Sequence, residues 1–300
     1  MTNQRKTFVG TGCSSGLGFE AIRQLLGKLP PLSLDIDFST VVLGVRDTAT
    51  TAAAFAGAEV ATPVPTLLPL QLNDVSSVKS FATETLAILG EAPLDYLFLN
   101  AASGYTVDHK SKYGDWCEQY IVNVISQHYL IHLLREKLVA SKTRIVIVSS
   151  GFIRTVNDAT SSVLESQLKG VPGPTYLENP YAQSKFVQLL NAHYWRRTLA
   201  STGCVVVAVT PGIVPTTGLT RRANFSVPHD APGARSLDAG AATLLDAFVR
   251  NDFPEDPNRI FLSFAGTWDE ADSAVLAKSL DRGQQDEWSP SKEKIEALFA

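Results

Sequence analysis

The feature that most constrains this chain is a glycine-rich turn near its start. Thr7-Phe8-Val9-Gly10 reads as a short buried strand, and Thr11-Gly12-Cys13-Ser14-Ser15-Gly16-Leu17-Gly18 follows it directly and opens a helical stretch. Such a turn uses positions without a Cβ so that backbone can approach a phosphate. The helix behind it offers unpaired N–H groups and the positive end of its dipole to the same anion. A tight strand-to-helix turn with no ligand would also use glycine. Behind the first strand of an alternating chain, the nucleotide-binding reading is the stronger one.

The rest of the chain keeps that alternation. Apolar strand-like runs are expected at Thr7–Gly10, Thr40–Val45, Leu67–Leu72, Leu94–Leu99, Arg144–Ser149, Val205–Val209 and Arg259–Phe264. Most lack polar alternation (Val205-Val206-Val207-Ala208-Val209 is the clearest), as strands covered on both faces should. Helical stretches are expected at Gly16–Leu29, Val75–Leu89, Tyr113–Ala140, Tyr181–Ala200 and Leu237–Val249. The pattern predicts an α/β protein, a single-domain Rossmann fold over residues 1–300 with a doubly wound, seven-stranded parallel sheet. Two long segments interrupt the rhythm: 152–179, expected to form a flap, and 213–236, expected to form a lid over a substrate. Residues 267–300 form a polar C-terminal extension whose role the sequence does not reveal.

Bulk properties narrow the partners. A net charge of −4 gives no electrostatic reason to bind nucleic acid or an anionic membrane, and no apolar run is long enough to span a bilayer. The strand beginning at Thr7 leaves no room for a signal peptide, so a cytoplasmic protein is expected. Three widely spaced cysteines, Cys13, Cys117 and Cys204, suggest neither a disulfide framework nor a metal site.

Tyr181 and Lys185 stand four residues apart in one helical stretch, hence on one face. A phenol titrates near 10, too high for ready proton exchange at neutral pH, and a nearby ammonium favours the phenolate. The pair alone is weak, but it has company in chain order. Asn123 lies in the long helical stretch, Ser149-Ser150 ends the fifth strand, and Pro211-Gly212-Ile213-Val214-Pro215-Thr216 follows the sixth. Carboxyl ends of strands are where doubly wound sheets bind ligands.

Together these segments resemble the short-chain dehydrogenase/reductase family over most of Lys6 to Phe264. The spacing Gly-x-x-x-Gly-x-Gly is that family's, and Cys13-Ser14-Ser15-Gly16-Leu17-Gly18 is similar to hydroxysteroid dehydrogenases within it. Leu99-Asn100-Ala101-Ala102 departs from the usual Asn-Asn-Ala-Gly and is closer to protochlorophyllide reductases; losing the first Asn removes hydrogen bonds that brace the central sheet. For catalysis the resemblance implies Ser150 holding a carbonyl oxygen and Tyr181 donating the proton as hydride arrives from a nicotinamide. Lys185 would bind the nicotinamide ribose and lower the Tyr181 pKa, and Asn123 would support a relaying water.

The resemblance also implies a dinucleotide held by Gly12, Ser14, Ser15, Gly16, Leu17, Gly18, Gln71, Leu72, Asn100, Ala101, Tyr181, Lys185, Pro211, Gly212, Val214 and Thr216. Val45 stands where relatives preferring NAD carry Asp, and Arg46 follows it, so NADP(H) is expected, with Ser14 or Ser15 helping to clamp the 2′-phosphate. An Arg46 paired with neighbouring Asp47 is the other reading, and Asp74 is equally a helix cap before Val75.

The expected activity is reduction of a ketone or aldehyde of moderate size and low polarity, with oxidation of the alcohol as its reverse. A cofactor-binding regulator or scaffold without redox turnover is the alternative. Ser150 and Tyr181 are 31 residues apart, so the insertion between them should border the pocket. Phe152, Ile153 and Val156 there are candidate substrate contacts or core residues, and a homo-oligomer is left open.

Overall fold

The computed structural model describes residues 5–30, 34–58, 63–104, 110–170, 180–215, 217–220, 227–268 and 274–299. Seven strands, β1 (Lys6–Thr11), β2 (Phe38–Val45), β3 (Thr66–Pro69), β4 (Tyr96–Leu99), β5 (Arg144–Val148), β6 (Val205–Val209) and β7 (Phe261–Leu262), pair in parallel in the order β3-β2-β1-β4-β5-β6-β7. Strand interiors alternate between two faces, and both faces are covered. Val9, Val42, Leu97, Ile145 and Val206 join one core, while Phe8, Leu43, Phe98, Val146 and Val207 join the other. This is why the strands read as continuous apolar runs rather than alternating ones.

The helices are α1 (Gly16–Gly27), α2 (Thr48–Gly57), α3 (Val75–Leu89), α4 (Glu118–Tyr120), α5 (Ser126–Ser141), α6 (Ser161–Lys169), α7 (Tyr181–Thr198), α8 (Leu237–Asp246), α9 (Ala274–Ser279), α10 (Arg282–Glu287) and α11 (Lys292–Phe299). Leu17 and Val214 meet over Gly240 of α8 on one side of the sheet, where a Cβ on Gly240 would lie 2.8 and 2.7 Å from them. Helices α3, α5 and α7 cover the other side.

Several boundaries differ from the sequence expectation, each for a local reason. Strand β3 stops at Pro69, which has no N–H to continue a ladder, and Leu70 N then bonds Val45 O at 2.8 Å as the chain turns away. Helix α2 was not expected at all; alanines favour it and Asp47 caps it by accepting from Thr50 N at 2.9 Å. The stretch expected as one helix from Tyr113 starts at Glu118 and widens into a π-helical turn over Ile121–Ile125 before α5. Such widened turns concentrate at functional positions, and Asn123 is at the centre of this one.

The described part of segment 152–179 folds onto the body of the protein. A 3₁₀ turn at Gly151–Thr155 leads to α6, whose Leu164 and Leu168 are fully buried, and Cys117 N bonds Leu168 O at 2.8 Å. Residues 171–179 lie outside the described residues.

The C-terminal extension has a definite seat on α5 and α7. The Trp288 ring meets Trp116 and Tyr120 edge-on, and Asn191 Nδ2 donates to Trp288 O at 2.8 Å. Pro290 O lies 3.0 Å from His128 Nε2 and 3.2 Å from His132 Nε2, and Tyr129 donates to Glu296 at 2.6 Å. Trp288→Ala is therefore expected to lower the unfolding free energy by about 3–5 kcal/mol in a urea titration. An unchanged midpoint would mean that the extension adds nothing to the core.

Candidate active site

The site opens where β1 and β4 lie side by side, the point from which the chain leaves the sheet toward opposite faces. Gly12 (φ 68°) and Gly18 make this junction possible. A Cβ on Gly12 would sit 2.5 Å from the Ala101 backbone, and one on Gly18 would sit 2.3 Å from both Gly12 O and Asn100 Nδ2. Into that narrow space Asn100 Nδ2 donates to Gly12 O at 2.8 Å, and Ala101 N donates to Thr11 Oγ1 at 3.3 Å.

Above the junction the surroundings change. Gly16 (φ 58°) has nothing within 4 Å of where a Cβ would stand. Ser15 is the extended N-cap of α1, its side chain makes no capping bond, and the first turn of α1 carries no acidic residue. The free N–H groups of α1 thus face an open cradle with no competing carboxylate, which fits a pyrophosphate.

At the end of β2, Arg46 is exposed and Asp47 does not pair with it; Asp47 is committed to α2 through Thr50 N and Thr50 Oγ1. The Arg46 guanidinium is therefore not taken up by Asp47. Gln71 is exposed, with its backbone N bonded to Ser77 Oγ at 2.9 Å, and Leu72 O accepts from Ser126 Oγ at 2.5 Å. Asp74 proves to be a cap of α3, with the Ser76 hydrogen bond and Lys112 drawing its carboxyl down to about 2.

Three of the four expected catalytic residues converge at the carboxyl end of β5. Ser150 caps the 3₁₀ turn, its Oγ accepting from Phe152 N at 3.2 Å, and it hydrogen-bonds the Tyr181 phenol. The Phe152 ring stands edge-on to Tyr181 at 6.3 Å. Lys185 Nζ lies 5.9 Å from the centre of the Tyr181 ring and donates to Val148 O at 2.8 Å and to Gln188 Oε1 at 3.0 Å. Asn123 stands behind them: Nδ2 donates to Ser103 O and Ser184 Oγ, both at 2.9 Å, and Oδ1 accepts from Ser103 N at 2.7 Å. Its side chain ties the loop after β4 to α7.

Burial dominates the electrostatics here. It pushes the Tyr181 phenol up to about 12, against the Ser150 hydrogen bond, and pushes the Lys185 ammonium down to about 7. The sequence expectation that Lys185 pulls the phenol down is outweighed by desolvation of both groups.

On the far rim, Gly212 has φ 80° and Val214 is buried, while Ile213 is exposed. Arg235 holds this loop: its Nη1 donates to Pro211 O at 2.7 Å and to Thr243 Oγ1 at 2.9 Å, and its backbone N donates to Ile213 O at 2.8 Å. Thr216 lies outside the described residues. Of the expected substrate contacts, Ile153 and Val156 are core residues packed with Leu164 and Leu168, which leaves Phe152. Arg235, Gln127 and Gln188 escaped the sequence reading because no motif spacing marks them; Arg235 and Gln127 hold backbone oxygens elsewhere in the chain, and Gln188 is one turn from Lys185 at an unremarkable helix position.

No family model matches the chain. A short-chain dehydrogenase/reductase of Pestalotiopsis microspora is 46% identical over 296 residues, covering 97% of this chain and 98% of the relative. Human retinol dehydrogenase 12 is 29% identical over 213 residues, 70% of this chain and 61% of the relative. Among solved structures, an uncharacterised protein of Mycobacterium paratuberculosis superposes with TM-score 0.68 at 24% identity, covering 98% of this chain and 95% of the other. The NADPH-bound carbonyl reductase from chicken fatty liver gives TM-score 0.63 at 20% identity over 89% of this chain and 99% of the other. At these identities the structures speak for the fold.

The depressed Lys185 pKa has a consequence for stability. The unfolded lysine keeps its proton up to about pH 10.4, whereas the folded one releases it near 7. Between these values the unfolded state binds more protons, so the Lys185 contribution to stability rises with pH, by at most about 1.4 kcal/mol per pH unit. The stability difference between wild type and Lys185→Met, from urea titrations at about pH 7 and about pH 9, should shift in favour of wild type as pH rises. A pH-independent difference would mean that the buried lysine is not titrating there.

Proposed function

Because the chain belongs to the short-chain dehydrogenase/reductase family, we propose that it is an NADP(H)-dependent carbonyl reductase acting on a ketone or aldehyde of moderate size and low polarity. One observation carries this reading: Ser150, Tyr181 and Lys185 meet at the end of β5, on the same edge of the sheet as the open cradle of α1. The exposed Arg46 at the end of β2 supports NADP(H) over NAD, as do solved relatives described as bound to NADPH or in complex with NADP.

When bound, the dinucleotide supplies the hydride. The remaining work falls to the protein. Phe152 N–H donates to Ser150 Oγ, which leaves the Ser150 hydroxyl proton to point at an acceptor, either the Tyr181 oxygen or a substrate carbonyl oxygen. Tyr181 donates its phenolic proton to that oxygen as negative charge develops on it. Lys185 has two N–H groups committed to Val148 O and Gln188 Oε1, and its third is available to a ribose hydroxyl and stabilises the phenolate left behind. Asn123 keeps the loop after β4 against α7, and Arg235 fixes the Pro211–Val214 rim where the nicotinamide amide would rest. The Phe152 ring and the exposed Ile213 offer apolar contact to a substrate.

The first test follows NADPH oxidation by absorbance over a panel of ketones, aldehydes and quinones. Tyr181→Phe should lose roughly 100- to 10,000-fold in kcat while NADPH binding, followed by fluorescence, is retained. Full activity in that variant would refute the mechanism. NADPH binding with no turnover by wild type on any compound would favour the non-redox reading. Arg46→Glu should weaken NADPH binding at least about tenfold and leave NADH nearly unchanged. Equal losses for both cofactors would remove Arg46 from the 2′-phosphate.

A further inference from the structure

Next to Gln188, the hydrogen-bond partner of Lys185, a small cavity between α5, α7 and the ends of β4 and β5 is bordered by Gln127, Gln188, Asn191, Asn123 and His128. Three buried polar atoms there have no hydrogen-bond partner: Gln127 Oε1, Gln188 Nε2 and Asn191 Oδ1. Their residues are 2%, 3% and 4% exposed, so bulk water does not serve them. An unsatisfied polar group so deeply buried is costly, and three around one space call for a common partner.

The orientation of each amide is fixed by its other end. As an ammonium Lys185 Nζ only donates, so the Gln188 oxygen faces it at 3.0 Å and the Gln188 NH₂ faces the cavity. The Gln127 NH₂ donates to Ala101 O at 2.6 Å, which turns its oxygen inward. The Asn191 NH₂ donates to Trp288 O at 2.8 Å and Ser289 Oγ at 2.9 Å, which does the same. The cavity therefore presents two acceptors and one donor. A water molecule matches this set, donating to Gln127 and Asn191 and accepting from Gln188, and three partners is the usual number for an internal water.

We propose that the space between Gln127, Gln188 and Asn191 is an internal water site, and that Gln188, bridging this water and Lys185 Nζ, is the positioning residue of the active-site ammonium. The water locks the Gln188 amide with its oxygen toward Nζ; a flipped amide would turn NH₂ against an ammonium. Gln188 and Val148 O are then the two acceptors that offset the desolvation of Lys185. Through Asn191 the same water joins the lysine to Trp288 and Ser289, so the seating of the C-terminal extension is coupled to the site.

Among the described residues, Tyr181 on the same helix has its ring centre 5.9 Å from Nζ, and His128 from α5 borders the cavity beside Gln188. His128 is held neutral by burial, its ring driven down to about 3. Trp195 Nε1 donates to His128 Nδ1 at 2.8 Å, which puts the histidine proton on Nε2, toward Pro290 O. Replacing Gln188 therefore changes the side-chain acceptor that the ammonium has among the described residues, while the neighbouring histidine stays uncharged.

The role of Lys185 in turnover rests on the proposed reductase activity, but its ionisation does not. The decisive experiment follows the Lys185 side chain by NMR in lysine-labelled protein, with its signal assigned by loss in Lys185→Met, through a pH titration of wild type, Gln188→Leu and Gln188→Glu. Gln188→Glu places a carboxylate at Nζ and should raise the midpoint by about one unit or more, and Gln188→Leu should lower it. An identical midpoint in all three folded proteins overturns the positioning role. The alkaline limb of kcat should move in the same order; failure of wild type to turn over any carbonyl compound would sink the reductase reading and leave the NMR result standing. A high-resolution crystal structure should place one water within hydrogen-bond distance of the three orphan atoms, and a dry or collapsed space there overturns the water site.

Discussion

Strands β1 and β4 lie side by side at the centre of the sheet, and the segments that follow them depart toward opposite faces, so no helix covers the gap between their carboxyl ends. The gap must be bridged by side chains, because a backbone ladder cannot continue once the strands part. Asn100 does this by donating to Gly12 O, and the approach is close enough that neither Gly12 nor Gly18 could carry a Cβ. The cradle of α1, the Arg46 corner and the Ser150–Tyr181 pair are all placed relative to this junction.

Gln127 reaches the loop after β4 from α5, its Nε2 donating to Ala101 O at 2.6 Å. This bond commits Gln127 to one orientation. That commitment is one of three that shape the polar cavity beside Gln188.

Burial of α7 is the second determinant. The helix is enclosed by the sheet on one side and by α5, α6 and the C-terminal extension on the others, and Tyr181 and Lys185 are almost wholly out of solvent. Removing charge from water moves the two pKa values apart, upward for the phenol and downward for the ammonium. Acceptors that hold the ammonium therefore matter as much as the residues that touch substrate. They are provided by the end of β5 and by Gln188, one turn along the same helix.

The sequence by itself determined the sheet, the turn and the four-residue Tyr181–Lys185 spacing, because each is written in local order. Strands buried on both faces must be apolar throughout, a phosphate turn must have glycine, and two residues four apart on a helix must share a face. It left Asp74 undecided between a cofactor contact and a cap, and the local hydrogen bonds chose the cap. It missed α2, whose alanine-rich run shows little amphipathic pattern, and left Ile153 and Val156 open between a pocket and the core, where packing put them in the core. Only the tertiary structure decided the seat of the C-terminal extension, the grip of Arg235 on the Pro211 rim and the surroundings of Lys185. Those depend on partners as far apart as Asn191 and Trp288, and on how deeply each side chain lies, and neither separation nor depth is encoded in residue spacing.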